Sequence, residues 1–249
     1  MLKKERQANI LHQLNLHNKV LNADLCSLMG VSEDTVRRDL QELSDAGELI
    51  KVHGGALSTA FNQVQFEPAH VYSQAHKKTI AVKALRLIKN GMFILTSGGT
   101  TILELIRTLP PQLKITLMTG SIPVVNECIS KPNIEVVVIG DKLLKDSKLT
   151  VGAEAIAKIN QVNADLCFLG TNAIDIAHGL TDNDWEVVQV KRAMVHSAAK
   201  VICMTISEKL ETYQPLNVCS IDKIDYLVTE LEPDSMMLRP FVKTGINVL

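Results

Sequence analysis

Gly91–Leu109 reads GMFILTSGGTTILELIRTL. An apolar run of strand length (Met92–Leu95) enters the turn Thr96-Ser97-Gly98-Gly99-Thr100-Thr101, and an amphipathic segment follows at once. The pattern predicts strand, tight turn and helix in direct succession. Two glycines and two hydroxyls stand where a helix N-terminus leaves backbone N–H groups free. That is anion-binding equipment, because the helix dipole favours negative charge and glycine permits close approach to the backbone. The same residues also describe a plain capped strand-to-helix turn. The stretch is neither a P-loop nor a G-x-G-x-x-G turn.

Working outward, the unit recurs. Apolar runs at Ile115–Met118, Ile134–Ile139, Leu166–Leu169, Val201–Met204 and Tyr226–Thr229 alternate with helical segments. Alternation of this kind predicts an α/β fold with a mostly parallel sheet covered by helices. Ligands of open α/β sheets gather at strand C-terminal ends. Ser121 in Thr119-Gly120-Ser121 follows one such strand, Gly170-Thr171-Asn172 and Asp175 follow another, and Lys209 in Thr205–Leu210 follows a third. A long helix is expected across Glu67–Lys89, opening at Pro68 and stopped by Gly91.

Composition narrows the class. Aromatic residues make up only 4% of the 249, and mean hydropathy is +0.13, which favours α/β over an aromatic-rich sandwich and leaves room for one or two domains. No apolar run approaches 18 residues, so no spanning helix is expected. MLKKERQANI lacks an apolar core, so no signal peptide is expected either. Five cysteines stand far apart without a C-x-x-C pair, which predicts no metal site and no disulfide framework. A cytoplasmic chain without cofactor or membrane partner is the expectation.

Texture changes near residue 60. The reading is a small helical domain over 1–57, a linker over 58–66 and an α/β domain over 67–249. In the first, a helix over Lys3–Leu14 precedes a second helix capped by Asn22, then Gly30, then a third capped by Ser32 with Glu33 and Asp34 in its first turn. Two helices joined through Gly30 make a helix-turn-helix. At 100° per residue Val36, Leu40 and Leu43 form a buried stripe. Arg38 lies nearly opposite it, with Gln41 close by and Thr35 and Arg37 on the flanks. Glu48–Val52 and Ala56-Leu57, joined by His53-Gly54-Gly55, predict a hairpin wing with Lys51 and His53 near its tip. The DNA-facing candidates are therefore Ser32, Thr35, Arg37, Arg38, Gln41, Lys51 and His53, a short polar and basic set suited to base edges and phosphates. Residues 1–60 hold 7 basic against 8 acidic side chains, and the chain carries a net charge of −1. Any grip on phosphate must therefore come from local placement of Lys3, Lys4, Arg6, Arg37, Arg38 and Lys51.

The segment VSEDTVRRDLQELSDAGELIKVHGGAL (Val31–Leu57) closely resembles the DNA-binding signature of the DeoR family of bacterial transcriptional repressors. The TVRRDL core and KVHGGA carry the resemblance, which implies a winged helix-turn-helix with Thr35, Arg37 and Arg38 near DNA. The second half is similar in the order KKTIAVKA, GGTT, VGAEAI, ADLCFLGTNAID, GLTDNDWEVVQVKRAM and the Lys209 loop. It resembles the DeoR-type sensor domain, whose fold is similar to ribose-phosphate isomerases and glucosamine-phosphate deaminases. The resemblance implies a phosphorylated sugar as effector, with Gly99, Thr100 and Thr101 on its phosphate and Asp175, Glu186 and Lys209 bordering the cavity. Ser97, Gly98 and Ser121 complete the candidate set. Three positions depart from the family pattern: Ser97 and Ile206 replace aspartates, and Gly120 replaces the asparagine of T-N-S.

The expected function is sequence-specific regulation of transcription, as a repressor of carbohydrate-metabolism genes. Its partners would be double-stranded operator DNA and a small phosphorylated metabolite. Paired recognition helices require a homodimer or homotetramer. The competing class is a sugar-phosphate isomerase or deaminase with an accessory domain. Against it, Ser97 and Ile206 remove the carboxylates that an acid/base pair would need, so no catalytic residue is assigned. A protein-interaction adaptor built on the winged helix is a third class that no residue pattern favours.

Overall fold

The computed structural model describes residues 1–59 and 71–249. They fall into two compact units, Met1–Tyr72 and Ser73–Leu249. Most of the expected linker, and the expected helix start at Pro68, lie outside the described residues.

The first unit runs α1 (Lys3–His17), β1 (Lys19–Leu21), α2 (Asn22–Met29), α3 (Glu33–Asp45), β2 (Leu49–Val52) and β3 (Gly55–Ser58). Ile10 and Leu14 from α1, Leu25 and Met29 from α2, and Val36, Leu40 and Leu43 from α3 close one core, as apolar residues at helical spacing must. Gly30 ends α2 at φ +64°, a left-handed conformation that costs glycine nothing. Ser32 caps α3 by accepting from the Thr35 N–H. Asn22 does not cap α2. It is the first helical residue, its N–H donates to the Gly54 carbonyl, and its side chain reaches Glu33. β2 and β3 form the wing, and β1, unforeseen in the sequence, pairs with β3 on its other side. A side chain at Gly55 would run into the Val20 backbone, so this third strand explains the second glycine of His53-Gly54-Gly55.

The second unit runs α4 (Gln74–Leu85), β4 (Phe93–Thr96), α5 (Thr100–Thr108), β5 (Ile115–Thr119), α6 (Ile122–Cys128) and β6 (Ile134–Val138). Then come the hairpin β7 (Lys142–Leu144) and β8 (Leu149–Val151), α7 (Ala153–Ile159), β9 (Ala164–Gly170), β10 (Ala173–Asp175), β11 (Gly179–Asp182) and α8 (Trp185–His196). β12 (Ala198–Met204), β13 (Leu216–Cys219), β14 (Tyr226–Val228), α9 (Arg239–Lys243) and β15 (Asn247–Val248) complete it. The helix expected across Glu67–Lys89 is shorter. Residues 71–73 are bend and turn, and Leu85 is the last helical residue.

Among the described residues, seven parallel strands form one sheet in the order β15-β14-β12-β9-β4-β5-β6. Both faces are covered, as an all-parallel sheet requires. Leu95, Cys167, Leu169, Cys203 and Leu227 pack with residues of α7, α8 and α9 in one core. Their strand neighbours Ile94, Phe168 and Ile202, also buried, point to the opposite face. From β4 the chain moves outward to β5 and β6, then returns to β9 on the other side of β4. That reversal opens a crevice at the C-terminal ends of β4 and β9. A small antiparallel sheet, β10-β11-β13, extends from the end of β9.

Candidate nucleic-acid interface and effector crevice

The exposed side of α3 sorts its polar residues into separate tasks. Arg37 pairs with Glu33 one turn back, at 2.8 Å. Lys51 reaches across from β2 to the Gln41 Oε1 at 3.0 Å, and the Gln41 amide donates to Asp45 at 2.7 Å. Thr35 shares a 3.0 Å hydroxyl contact with Ser32. Arg38 and His53 are exposed and have no ion pair or hydrogen bond among the described residues. Arg6 is not available to phosphate. It is clamped bidentately on Asp39 of α3, at 2.7 and 3.2 Å, with the carboxylate almost wholly buried. Lys3 is likewise engaged, on Glu42 at 2.6 Å.

In the second unit, the turn after β4 sits at the strand-order reversal. The Ser97 N–H donates to the Phe168 carbonyl at 3.0 Å, and the Ser97 hydroxyl accepts from Gly170 N–H at 3.0 Å. The hydroxyl thus stitches the ends of β4 and β9 together, a task that a charged aspartate would perform differently. Gly99 takes φ +106°, reachable without strain only by glycine, and no side chain caps α5 behind it. The free N–H groups of Thr100 and Thr101 therefore open on the crevice. A Cβ at Gly99 would meet nothing within 4 Å, so this face is open.

Three lysines converge beside this turn. Lys209 donates to the Thr171 carbonyl at 2.9 Å. Burial first, then repulsion from Lys77 and Lys191, push Lys209 down to about 7. Lys77 on α4 is pushed down by burial to about 8, against the pull of Glu104 and Glu208. Lys191 donates to the Gly170 carbonyl and to Asp182, each at 2.7 Å. Burial works against the charged form of Asp182, but Lys191, the Asn183 N–H and Asn172 outweigh it and hold that carboxyl below its ordinary value. Lys77 and Asp182 were not singled out in the sequence. A signal existed for the first: Lys77 shares a helical stripe with Ile80, Ala81 and Ala84, a cation on an otherwise apolar face.

The β7–β8 hairpin covers the neighbouring strand ends. Leu149 lies against Gly98, and Ser121 bridges to Leu149. A side chain at Gly120 would collide with the Thr150 hydroxyl, which accounts for glycine where the family has asparagine. Beneath lies a narrow, mostly apolar pocket in which Thr96, Ser97 and Lys191 meet Ile139, Leu149, Val187 and Met194. The Thr96 hydroxyl is buried there with no partner among the described residues. Two expected effector residues have their carboxylates committed elsewhere: Asp175 to His178 at 2.6 Å and Glu186 to Lys142 at 2.9 Å. Ile206 is buried and apolar.

Comparison with known proteins supplies the remaining observation. Residues 73–231 match the DeoR C-terminal sensor domain, and residues 6–60 match the DeoR-like helix-turn-helix domain. The chain belongs to the DeoR family of transcriptional regulators. It is 30% identical to the HTH-type transcriptional regulator GlpR of Haloferax volcanii, covering 100% of this chain and 98% of that relative. It is 25% identical to the glycerol-3-phosphate regulon repressor of Escherichia coli K12, over 96% of this chain and 95% of the relative. The ribose 5-phosphate isomerase A of Methanocaldococcus jannaschii is 18% identical over 54% of this chain and 53% of its own, with TM-score 0.40. This DeoR-family regulator thus pairs a DNA-binding winged helix with a sensor domain. No helix among its described residues is long and apolar enough to cross a membrane.

Proposed function

We propose that this regulator is a cytoplasmic repressor of carbohydrate-metabolism genes that grips a double-stranded operator as a homo-oligomer and responds to a small phosphorylated metabolite. Its action is binding, not catalysis. The observation that carries the effector half is the meeting of an uncapped helix N-terminus at Gly99-Thr100-Thr101 with Lys209, Lys77 and Lys191 at the sheet's strand-order reversal. Backbone donors and buried cations together suit a phosphate ester. Ser97, Gly98 and Ser121 would shape the wall, while Asp175 and Glu186 would act through the residues they hold. The role of the Escherichia coli relative, repression of a glycerol-3-phosphate regulon, supports a phosphorylated carbon compound. For DNA, Arg38 would contact a base edge, with Thr35, Arg37, Ser32 and His53 beside it and Gln41 and Lys51 behind.

The test combines both halves. An operator is selected from a random-sequence library, and phosphate esters are titrated into the full chain with and without it. Wild type is expected to bind an ester and to change its operator affinity, with operator DNA changing ester affinity by the same factor. Gly99→Val and Lys209→Met are expected to bind operator normally and to ignore the ester. Equal ester affinity in wild type and both variants would place the effector elsewhere.

A further inference from the structure

At the outer end of β10, Asp175 accepts the His178 backbone N–H at 2.5 Å and holds the ring Nδ1 at 2.6 Å. A carboxylate there fixes the ring proton on Nδ1 and leaves Nε2 as the outward polar atom, an acceptor in the neutral ring. Tyr213 stacks on the same ring, with centroids 4.2 Å apart and planes 21° from parallel. Asn217 donates to the His178 carbonyl at 2.6 Å. Half of the His178 side chain and 62% of Tyr213 nevertheless face solvent. Four residues thus assemble an ordered array around a half-exposed ring.

Its position relative to Lys209 gives it a use. The chain after β12 runs beside the chain after β9: Lys209 bonds Thr171, Leu210 bridges Ile174 in parallel, and Tyr213 meets His178. Lys209 therefore stands at the inner end of this paired segment and the stack at its outer end. Thr171 and Asp175 are four residues apart with a bend at Asn172 between them, so they are separated by less than the about 13 Å of a fully extended run. An extended phosphorylated sugar held at Lys209 would project along this segment.

Building on the effector reading, we propose that His178 and Tyr213 form a second subsite that reads the hydroxylated end of the metabolite. His178 Nε2 accepts from a hydroxyl, and the Tyr213 phenol, which has no partner among the described residues, pairs with another. Asp175 is a positioning residue. An Nε2 acceptor backed by a carboxylate repels a ligand carboxylate, so the array selects sugar or polyol phosphates over inorganic phosphate and over phosphorylated carboxylic acids.

The test is calorimetric titration of the full chain with inorganic phosphate, glycerol 3-phosphate, ribose 5-phosphate, fructose 6-phosphate and 3-phosphoglycerate. Wild type is expected to bind at least one of the three polyol or sugar esters about tenfold or more tighter than inorganic phosphate or 3-phosphoglycerate. His178→Ala and Tyr213→Ala should reduce that ester to the affinity of inorganic phosphate while leaving inorganic phosphate unchanged. Tyr213→Phe, which keeps the stack, should fall between. Unaltered ester binding in both alanine variants would overturn the proposal. So would a parallel loss of ester and inorganic phosphate, which would mean the stack merely props the Lys209 loop, and so would a wild type that favours none of the three esters. Failure of wild type to bind any phosphate compound would overturn the effector reading itself.

Discussion

Three consecutive charged residues of α3 meet different fates. Arg37 is paired with Glu33, Arg38 has no ion pair or hydrogen bond among the described residues, and Asp39 is buried against Arg6. Helical spacing places Asp39 beside the Val36/Leu40/Leu43 stripe, so a carboxylate has to be matched inside the unit. Arg38→Ala is expected to leave the melting temperature unchanged and to weaken operator binding by about tenfold or more, since a bidentate base contact is worth roughly 1–3 kcal/mol. Asp39→Ala is expected to lower the melting temperature, because it strands Arg6, with operator binding lost only as the fold is lost. Fluorescence anisotropy at fixed salt beside a thermal melt separates the two. Wild-type operator affinity in Arg38→Ala would remove that residue from the interface.

Between elements, single side chains set geometry. Lys51 ties the wing to α3 through Gln41, so Lys51→Met is expected to weaken specific binding with little change in salt dependence. A phosphate contact would instead lower the slope of log K against log salt by about 0.9, and the measured slope decides. Lys209 couples the loop after β12 to the end of β9. A lysine titrating near 7 when folded and near 10.5 when unfolded binds fewer protons in the folded state between those values. Its contribution to stability therefore rises with pH through that window and is most unfavourable below pH 7. Lys209→Met should be more stable than wild type near pH 6, and the advantage should shrink towards pH 10. Parallel thermal melts across that range check the sign, and a pH-independent difference would contradict the burial of this charge.

For the whole molecule, charge balance constrains DNA binding. With 7 basic and 8 acidic residues in the first 60, and Arg6 and Lys3 already paired, few cations remain for phosphates. Operator affinity is expected to fall with salt at a shallow slope, each neutralised phosphate contributing about −0.9. A slope near that of a strongly basic repressor, with many such contacts, would show that the surface pairs dissolve on binding; no slope at all would contradict the DNA assignment. A ligand that binds only the folded chain stabilises it by mass action, so melts with operator and with metabolite check that each is bound, and a melt with both reads the linkage between them.

By itself the sequence determined the elements whose signals are local. Apolar runs of strand length, Gly30 after a helix, Ser32 before one and the Val36/Leu40/Leu43 period depend on neighbours within a turn or two, and each lies where the pattern places it. The turn at Gly98-Gly99 was legible for the same reason. Tertiary structure alone decided what met that turn. The strand order that opens the crevice between β4 and β9, the third strand packed on Gly55, and the hairpin that forces glycine at 120 all join residues far apart in the chain. So do the pairings of Arg6 with Asp39 and Lys191 with Asp182. A charged residue's sequence neighbourhood says whether it faces inward. Which opposite charge waits there depends on how sheets and helices stack, because long-range packing, not local propensity, chooses the partner.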